Sequence, residues 1–127
     1  MKKLPKIKTL RNKLWKLVSE YVRRSGGDRA ACYTCGIVKN WKEIDAGHAI
    51  SGRSNMVLFD LSIIRPQCKY CNGPKGGMYY EFGTKLNQEN GDGWYEKKKR
   101  ESKGIKKLDR AFYNDMIDEM KIKLEAL

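Results

Sequence analysis

One histidine, three prolines and three phenylalanines are spread through 127 residues, and no cysteine stands outside a C-x-x-C pair. Acidic residues are also short, with fifteen Asp and Glu against twenty-seven Lys and Arg. No apolar run approaches the roughly 18 to 20 residues that cross a bilayer, so a soluble protein without a membrane partner is expected. The opening MKKLPKIKTL carries lysines but no continuous apolar core behind them, which argues against an export signal. A reducing cytosol is the expected setting. No internal repeat or low-complexity tract is present, so the motifs must carry the functional argument.

What is there is strongly basic. The formal charge is +12, and such an excess favours a polyanionic partner, because each Lys or Arg laid on a phosphate releases condensed counterions. Nucleic acid is the leading class, with acidic membrane surfaces or simple solubility as the plainer alternatives. Hydrophobic residues at 40% and charged residues at 33% are a globular composition. The length suits a single domain over 1–127, small enough that a metal staple would contribute heavily to its stability. Within it we expect a helical N-terminal arm at 1–27, a zinc-bearing core at 28–86 and a helical C-terminal region at 94–127.

Leu10, Leu14, Leu17, Val18 and Tyr21 recur at three- and four-residue steps, which predicts a helix from about Leu10 to Val22. Thr9 is placed to cap its start, and SGG at 25–27 to end it. Residues 32–41 read as a tight loop followed by a short extended piece, and 43–66 as short strands around an irregular loop. Pro74, Gly76 and Gly77 delay the next helix to about Met78, running to Leu86. NQENGDG at 87–93 reads as a turn and 96–103 as an exposed helix. Leu108, Ala111, Phe112, Met116, Ile117, Met120 and Leu124 form the apolar stripe of a final helix, for a core or an oligomer seam.

The cysteines pair as Cys32 with Cys35 and Cys68 with Cys71. Two such turns complete the tetrahedral thiolate shell that zinc prefers. Two disulfides are the alternative for oxidising surroundings, and a redox pair would need a thioredoxin-like strand pattern that is missing. Thirty-two residues separate Cys35 from Cys68, beyond the roughly 15 to 20 of a compact ribbon. The interval houses IDAGHAISGRSN and His48, the chain's one imidazole.

A neutral imidazole can take a proton from water and so generate a hydroxide aimed at a phosphodiester. A divalent cation, Mg2+ or Mn2+, would steady the charge that develops, and it wants oxygen ligands. Asp45 and Asn72 are the local offers. Zinc at the knuckles would bring Asn72, which directly follows Cys71, toward His48. The plainer readings are that Asn72 caps the helix after the knuckle and that His48 is a structural histidine or a zinc ligand.

The set C-x-x-C-G at 32–36, D-A-G-H at 45–48, S-G-R at 51–53 and Q-C-x-x-C-N at 67–72 resembles the NinG/Rap family of phage recombination proteins, over about residues 30 to 90. Its knuckle pattern is also similar to the endonuclease VII family of phage junction-resolving enzymes, and both belong with the HNH, or His-Me finger, nucleases. The resemblance implies an α+β fold with a zinc-stabilised ββα-metal, treble-clef-like core between helices. It further implies a divalent cation and cleavage of branched DNA such as Holliday junctions, D-loops and forks. Carried across by position, His48 is the general base, Asn72 the terminal metal ligand, and the four cysteines the zinc ligands. Gly47 stands where many HNH sequences have an acidic residue, which leaves Asp45 as the substitute. Ile63 occupies the usual place of the central Asn, with Asn55 the alternative.

Arg53, Arg65, Lys69 and Lys75 surround these motifs and are the expected phosphate contacts, holding a strand in register without reading bases. Tyr79 and Tyr80, or Trp94, are candidate base-stacking platforms, and KKKR at 97–100 adds salt-sensitive affinity. Cutting two strands would suit a homodimer. The rival readings are a non-catalytic zinc module that binds branched or single-stranded DNA in recombination, and a zinc-bound RNA adaptor, which lacks the aromatic-rich sheet motif it would need.

Overall fold

A computed structural model describes residues 3–51, 56–104 and 106–127. The described elements run α1 (Ile7–Arg24), β1 (Arg29–Ala31), β2 (Val38–Asn40), β3 (Asp45–His48), β4 (Ile64–Gln67), α2 (Lys69–Asn72), α3 (Tyr79–Asn90), α4 (Trp94–Glu101) and α5 (Arg110–Glu125). The α+β class expected from the sequence is what is observed. No described helix is long and apolar enough to cross a membrane.

Leu10, Leu14, Val18 and Val22 are the buried edge of α1. Its start differs from the expectation. Extended Lys6 precedes the first turn without a side-chain cap, and Thr9 lies inside the helix. The apolar edge packs on α5, whose start is capped by Asp109 through the Phe112 N–H at 2.9 Å. In α5 the buried positions are Tyr113, Ile117 and Met120, whereas Ala111 is exposed. The stripe is therefore centred on Tyr113, whose hydroxyl receives the Arg11 Nε at 3.3 Å.

Two antiparallel pairs position the motifs. β1 and β2 bracket the first C-x-x-C, with Ala30 opposite Lys39. β3 and β4 pair Asp45 with Gln67, Gly47 with Arg65 and His48 with Ile64, and α2 follows at once. A sharp reversal then separates α2 from α3, because Gly76, Gly77 and Met78 all take positive φ (69°, 101° and 53°). Only glycine adopts that backbone cheaply, so the GG pair sets the exit from the second knuckle.

Beyond this point α3 continues to Asn90, past the expected end at Leu86, and the turn shrinks to residues 91–93. Asn87, which reads as a turn residue, works from inside the helix. Its Oδ1 accepts the Tyr95 N–H at 2.7 Å and its Nδ2 donates to Glu96, so α4 starts at Trp94 instead of 96 and ends at Glu101. Tyr95 is buried, its hydroxyl donates to Ala49 O at 2.6 Å, and its ring lies on Gly83. That contact ties α3 and α4 to the residue after His48.

The main core joins α1, α3 and α5 to Val57, Phe59, Ile63 and Ile64. A second, smaller cluster consists of Ala30, Cys32, Ile44, Cys68 and Cys71, with Met78 packed against it.

Candidate functional site

The β1–β2 turn and the start of α2 carry the four thiols to one point. All four Sγ atoms lie within 4.8 Å of one another, with Cys35 and Cys68 3.8 Å apart. Sulfurs about 2.3 Å from a tetrahedral zinc are separated by roughly 3.8 Å, so the arrangement can hold that ion. The cysteines are free thiols, and the 3.8 Å between Cys35 and Cys68 is far beyond the roughly 2.05 Å of a disulfide bond. Cys68 also caps α2, its sulfur accepting the Cys71 N–H at 3.4 Å. Burial pushes the Cys71 thiol up to about 12. Burial also opposes ionisation of Cys32, but the Cys68 backbone N–H and the Thr34 hydroxyl prevail and bring it down to about 6.

Gln67 extends this network toward His48. It is fully buried, and its Nε2 donates to Thr34 Oγ1 at 3.2 Å and to Gly77 O at 2.8 Å. Its Oε1 has no partner among the described residues. A Cβ added at Gly47 would meet that oxygen at 2.2 Å and Gln67 Cβ at 2.9 Å. The position admits no acidic side chain because the space is filled from the opposite strand. We expect Gly47→Ala to cost about 1–3 kcal/mol by overpacking, seen as a lowered midpoint in denaturant. An unchanged midpoint would show that Gln67 gives way freely.

His48 faces an 840 Å³ cleft between α1 and the second knuckle. Lys8, Arg11, Asn12 and Trp15 of α1 form one wall, Ala46, His48 and Leu58 the floor, and Asn72 and Tyr79 the opposite rim. The Nε2 of His48 lies 3.0 Å from Leu58 O. A carbonyl only accepts, so Nε2 carries the proton and Nδ1 is the basic nitrogen. Trp15 stacks on the imidazole, centroids 5.0 Å apart and planes at 22°. Burial holds the His48 pKa below 6.5, partly offset by the Leu58 carbonyl, so the ring is neutral at pH 7.

Asn72 ends α2 and caps nothing. Cys68 caps α2, and Met78 precedes α3. The Asn72 Nδ2 donates to Asp45 Oδ2 at 3.2 Å, while Lys69 Nζ holds Asp45 Oδ1 at 2.7 Å. With the amide nitrogen turned to Asp45, the carbonyl oxygen is the end of Asn72 left for another partner. His48 and Asn72 therefore share the cleft, and Asp45 supports Asn72 without lining it.

The other expected contacts are scattered. Arg65 donates to Leu61 O and Ile64 O, approaches Glu89 at 3.5 Å and lies over the Tyr33 ring. Lys75 lies 5.5 Å over the exposed Tyr70. Lys69 is the partner of Asp45, and neither lysine lines the cleft. Arg53 and Asn55 lie outside the described residues, and Ile63 is fully buried in the main core. Tyr79 is on the cleft rim and Tyr80 is 82% exposed, as a stacking platform requires, whereas Trp94 packs partly buried.

Sequence reasoning missed the α1 wall. Its signal was available: Lys8, Arg11, Asn12, Trp15, Ser19 and Arg23 recur at three- and four-residue steps beside the apolar edge.

The whole chain, residues 1–127, matches the family model described as Bacteriophage Lambda NinG protein. Neither the curated proteins nor the solved structures gave a match.

Proposed function

The chain belongs to the NinG family, and on that premise we propose that it is a metal-dependent endonuclease that cuts branched DNA in phage recombination. The observation that carries this reading is the meeting of a neutral, oriented imidazole and the Asn72 carboxamide in one cleft walled by Lys8 and Arg11. The order β3, β4, α2, with the histidine on the first strand and the asparagine on the helix, also agrees with the ββα-metal core that the HNH resemblance implies.

His48 Nδ1 takes the proton of the attacking water, while Leu58 O and Trp15 hold the ring against rotation. Lys8 and Arg11 hold phosphate oxygens along the same wall. A bound Mg2+ or Mn2+ would neutralise charge at the phosphate and the leaving oxygen. The donor set beside the cleft consists of hard oxygens, which suits such an ion. The Asn72 carbonyl is the ligand on hand, and Asp45 would join it only by releasing Lys69 or the Asn72 amide.

Incubation with labelled duplex, forked and four-way DNA in Mg2+ or Mn2+ tests this, and nicking of the branched substrates is expected. A second reading is a non-catalytic zinc module that binds branched DNA in recombination. It is favoured by the engagement of both Asp45 oxygens and by Ile63 at the central HNH position. Tight binding without a cut under either cation would support that module.

The pH profile follows from the depressed pKa of His48. The base is competent while neutral, so on acidification cleavage should persist through 6.5 and fall only below it. Stability has the same sign: it is full above 6.5 and is lost as pH falls toward the folded pKa, because the unfolded chain protonates first. Trp15→Ala removes cover from the ring and should move the acid limb up toward 6.5. An acid limb already at 6.5 or above in the wild type would contradict the buried base.

A further inference from the structure

Where α1 ends, three cations converge on one indole. Arg23, Arg24 and Lys42 lie 5.2, 5.3 and 5.7 Å from the centroid of Trp41. Arg23 is fixed there by hydrogen bonds from Nε to Ser19 O and Oγ and from Nη1 to Trp41 O. Arg24 is ion-paired to Glu20 at 2.9 Å, and that is the one carboxylate paired to this group among the described residues. Three like charges held this close leave a local excess that an anion would relieve. The position is not arbitrary. Lys8, Arg11, Asn12 and Trp15 of the cleft wall continue along the same helix edge through Ser19 to Arg23.

We propose that the Trp41 cluster is a second phosphodiester-backbone site, gripping the DNA arm that leaves the His48 cleft along α1. The proposal rests on the nuclease reading of that cleft. The ligand is backbone, because what gathers at this indole is positive charge, three cations within 5.7 Å of its centroid, and charge is matched by phosphate. Eight residues from Trp15 to Arg23 span about 12 Å of helix. With one phosphate per roughly 3.4 Å of duplex axis on each strand, the contacted phosphates lie about three to four nucleotides from the scissile one. Trp41, which opens a short 3-10 turn over Trp41–Glu43, thus acts as the organiser of the grip.

The test is a methylphosphonate scan of one arm of a four-way junction, read by binding at several salt concentrations. In the wild type, neutralising single phosphates three to four nucleotides from the cut should weaken binding several-fold. In the Arg24→Gln/Lys42→Gln variant that position effect should vanish, and the slope of log K against log salt should fall by about 2. Lys107→Gln/Lys121→Gln makes the same change in net charge at exposed sites, one just before α5 and one on it, and should alter the slope by less than half as much. Equal slope changes in the two pairs, or a position effect that survives in the first, would overturn the proposal. If the wild type binds but does not cut, the scan still locates the neutralisation-sensitive phosphates, so failure of the nuclease reading and failure of this site remain distinct. Thermal midpoints of both variants within a few degrees of wild type establish that they fold.

Discussion

Stripping zinc from the protein with a chelator, or replacing Cys71 with Ser, should lower the thermal midpoint by about 20 °C and abolish any DNA cleavage. The second core cluster contains Ile44, Ala30 and three buried cysteines, too little apolar area to hold two knuckles together unaided. Four-cysteine zinc sites contribute an apparent binding energy of roughly 10–16 kcal/mol, against a net stability of about 5–15 kcal/mol for a whole domain. Even a third of that, about 5 kcal/mol, moves the midpoint by roughly 4 °C per kcal/mol in a chain of this size. Cleavage fails with it because α2 carries both Cys71 and Asn72, so a released knuckle removes Asn72 from the cleft. Readdition of zinc should restore both readouts. A midpoint that moves by less than about 3 °C would show that the thiols do not share an ion.

His48→Ala should reduce the cleavage rate by 10²- to 10⁴-fold, the usual worth of a positioned general base, while junction affinity stays within about twofold. The separation follows from placement. The imidazole is half-buried, stacked on Trp15 with its Nε2 held by Leu58 O, whereas the cationic side chains Lys8 and Arg11 line the cleft from α1. Removing the ring leaves those charges in place. Loss of binding in parallel with cleavage would make His48 part of the DNA grip, and a rate within tenfold of wild type would remove it from the chemistry.

The doubled C-x-x-C was legible because a short interval between ligands leaves the chain little freedom: two such turns share an ion or nothing. The approach of Asn72 to the His48 strand was also legible, since zinc had to bring the second knuckle back. The β3–β4 register completes it by setting Asp45 opposite Gln67, five residues before Asn72. What stayed hidden was tertiary. Trp15 reads as one more residue of an amphipathic helix until α1 packs beside β3, and the Leu58 carbonyl that fixes the histidine tautomer is main chain, which no side-chain pattern announces. Gln67 looked like a polar residue beside a cysteine, yet it is fully buried and explains why position 47 must be glycine. Asn87 and Ala111 misled in a simpler way. The first is a turn former recruited inside α3, and the second lies one step off the buried edge that Tyr113 occupies.

The most direct test is single-turnover cutting of a labelled four-way junction by the wild type, His48→Ala, Asn72→Ala and the double variant, in zinc-loaded protein with Mn2+. Residues that act on one phosphate do not contribute additively. The wild type should cut, each single variant should lose nearly all activity, and the double should be no slower than the worse single. A wild type that binds the junction yet never cuts it, or losses that simply multiply in the double variant, would mean that His48 and Asn72 do not serve a common reaction centre.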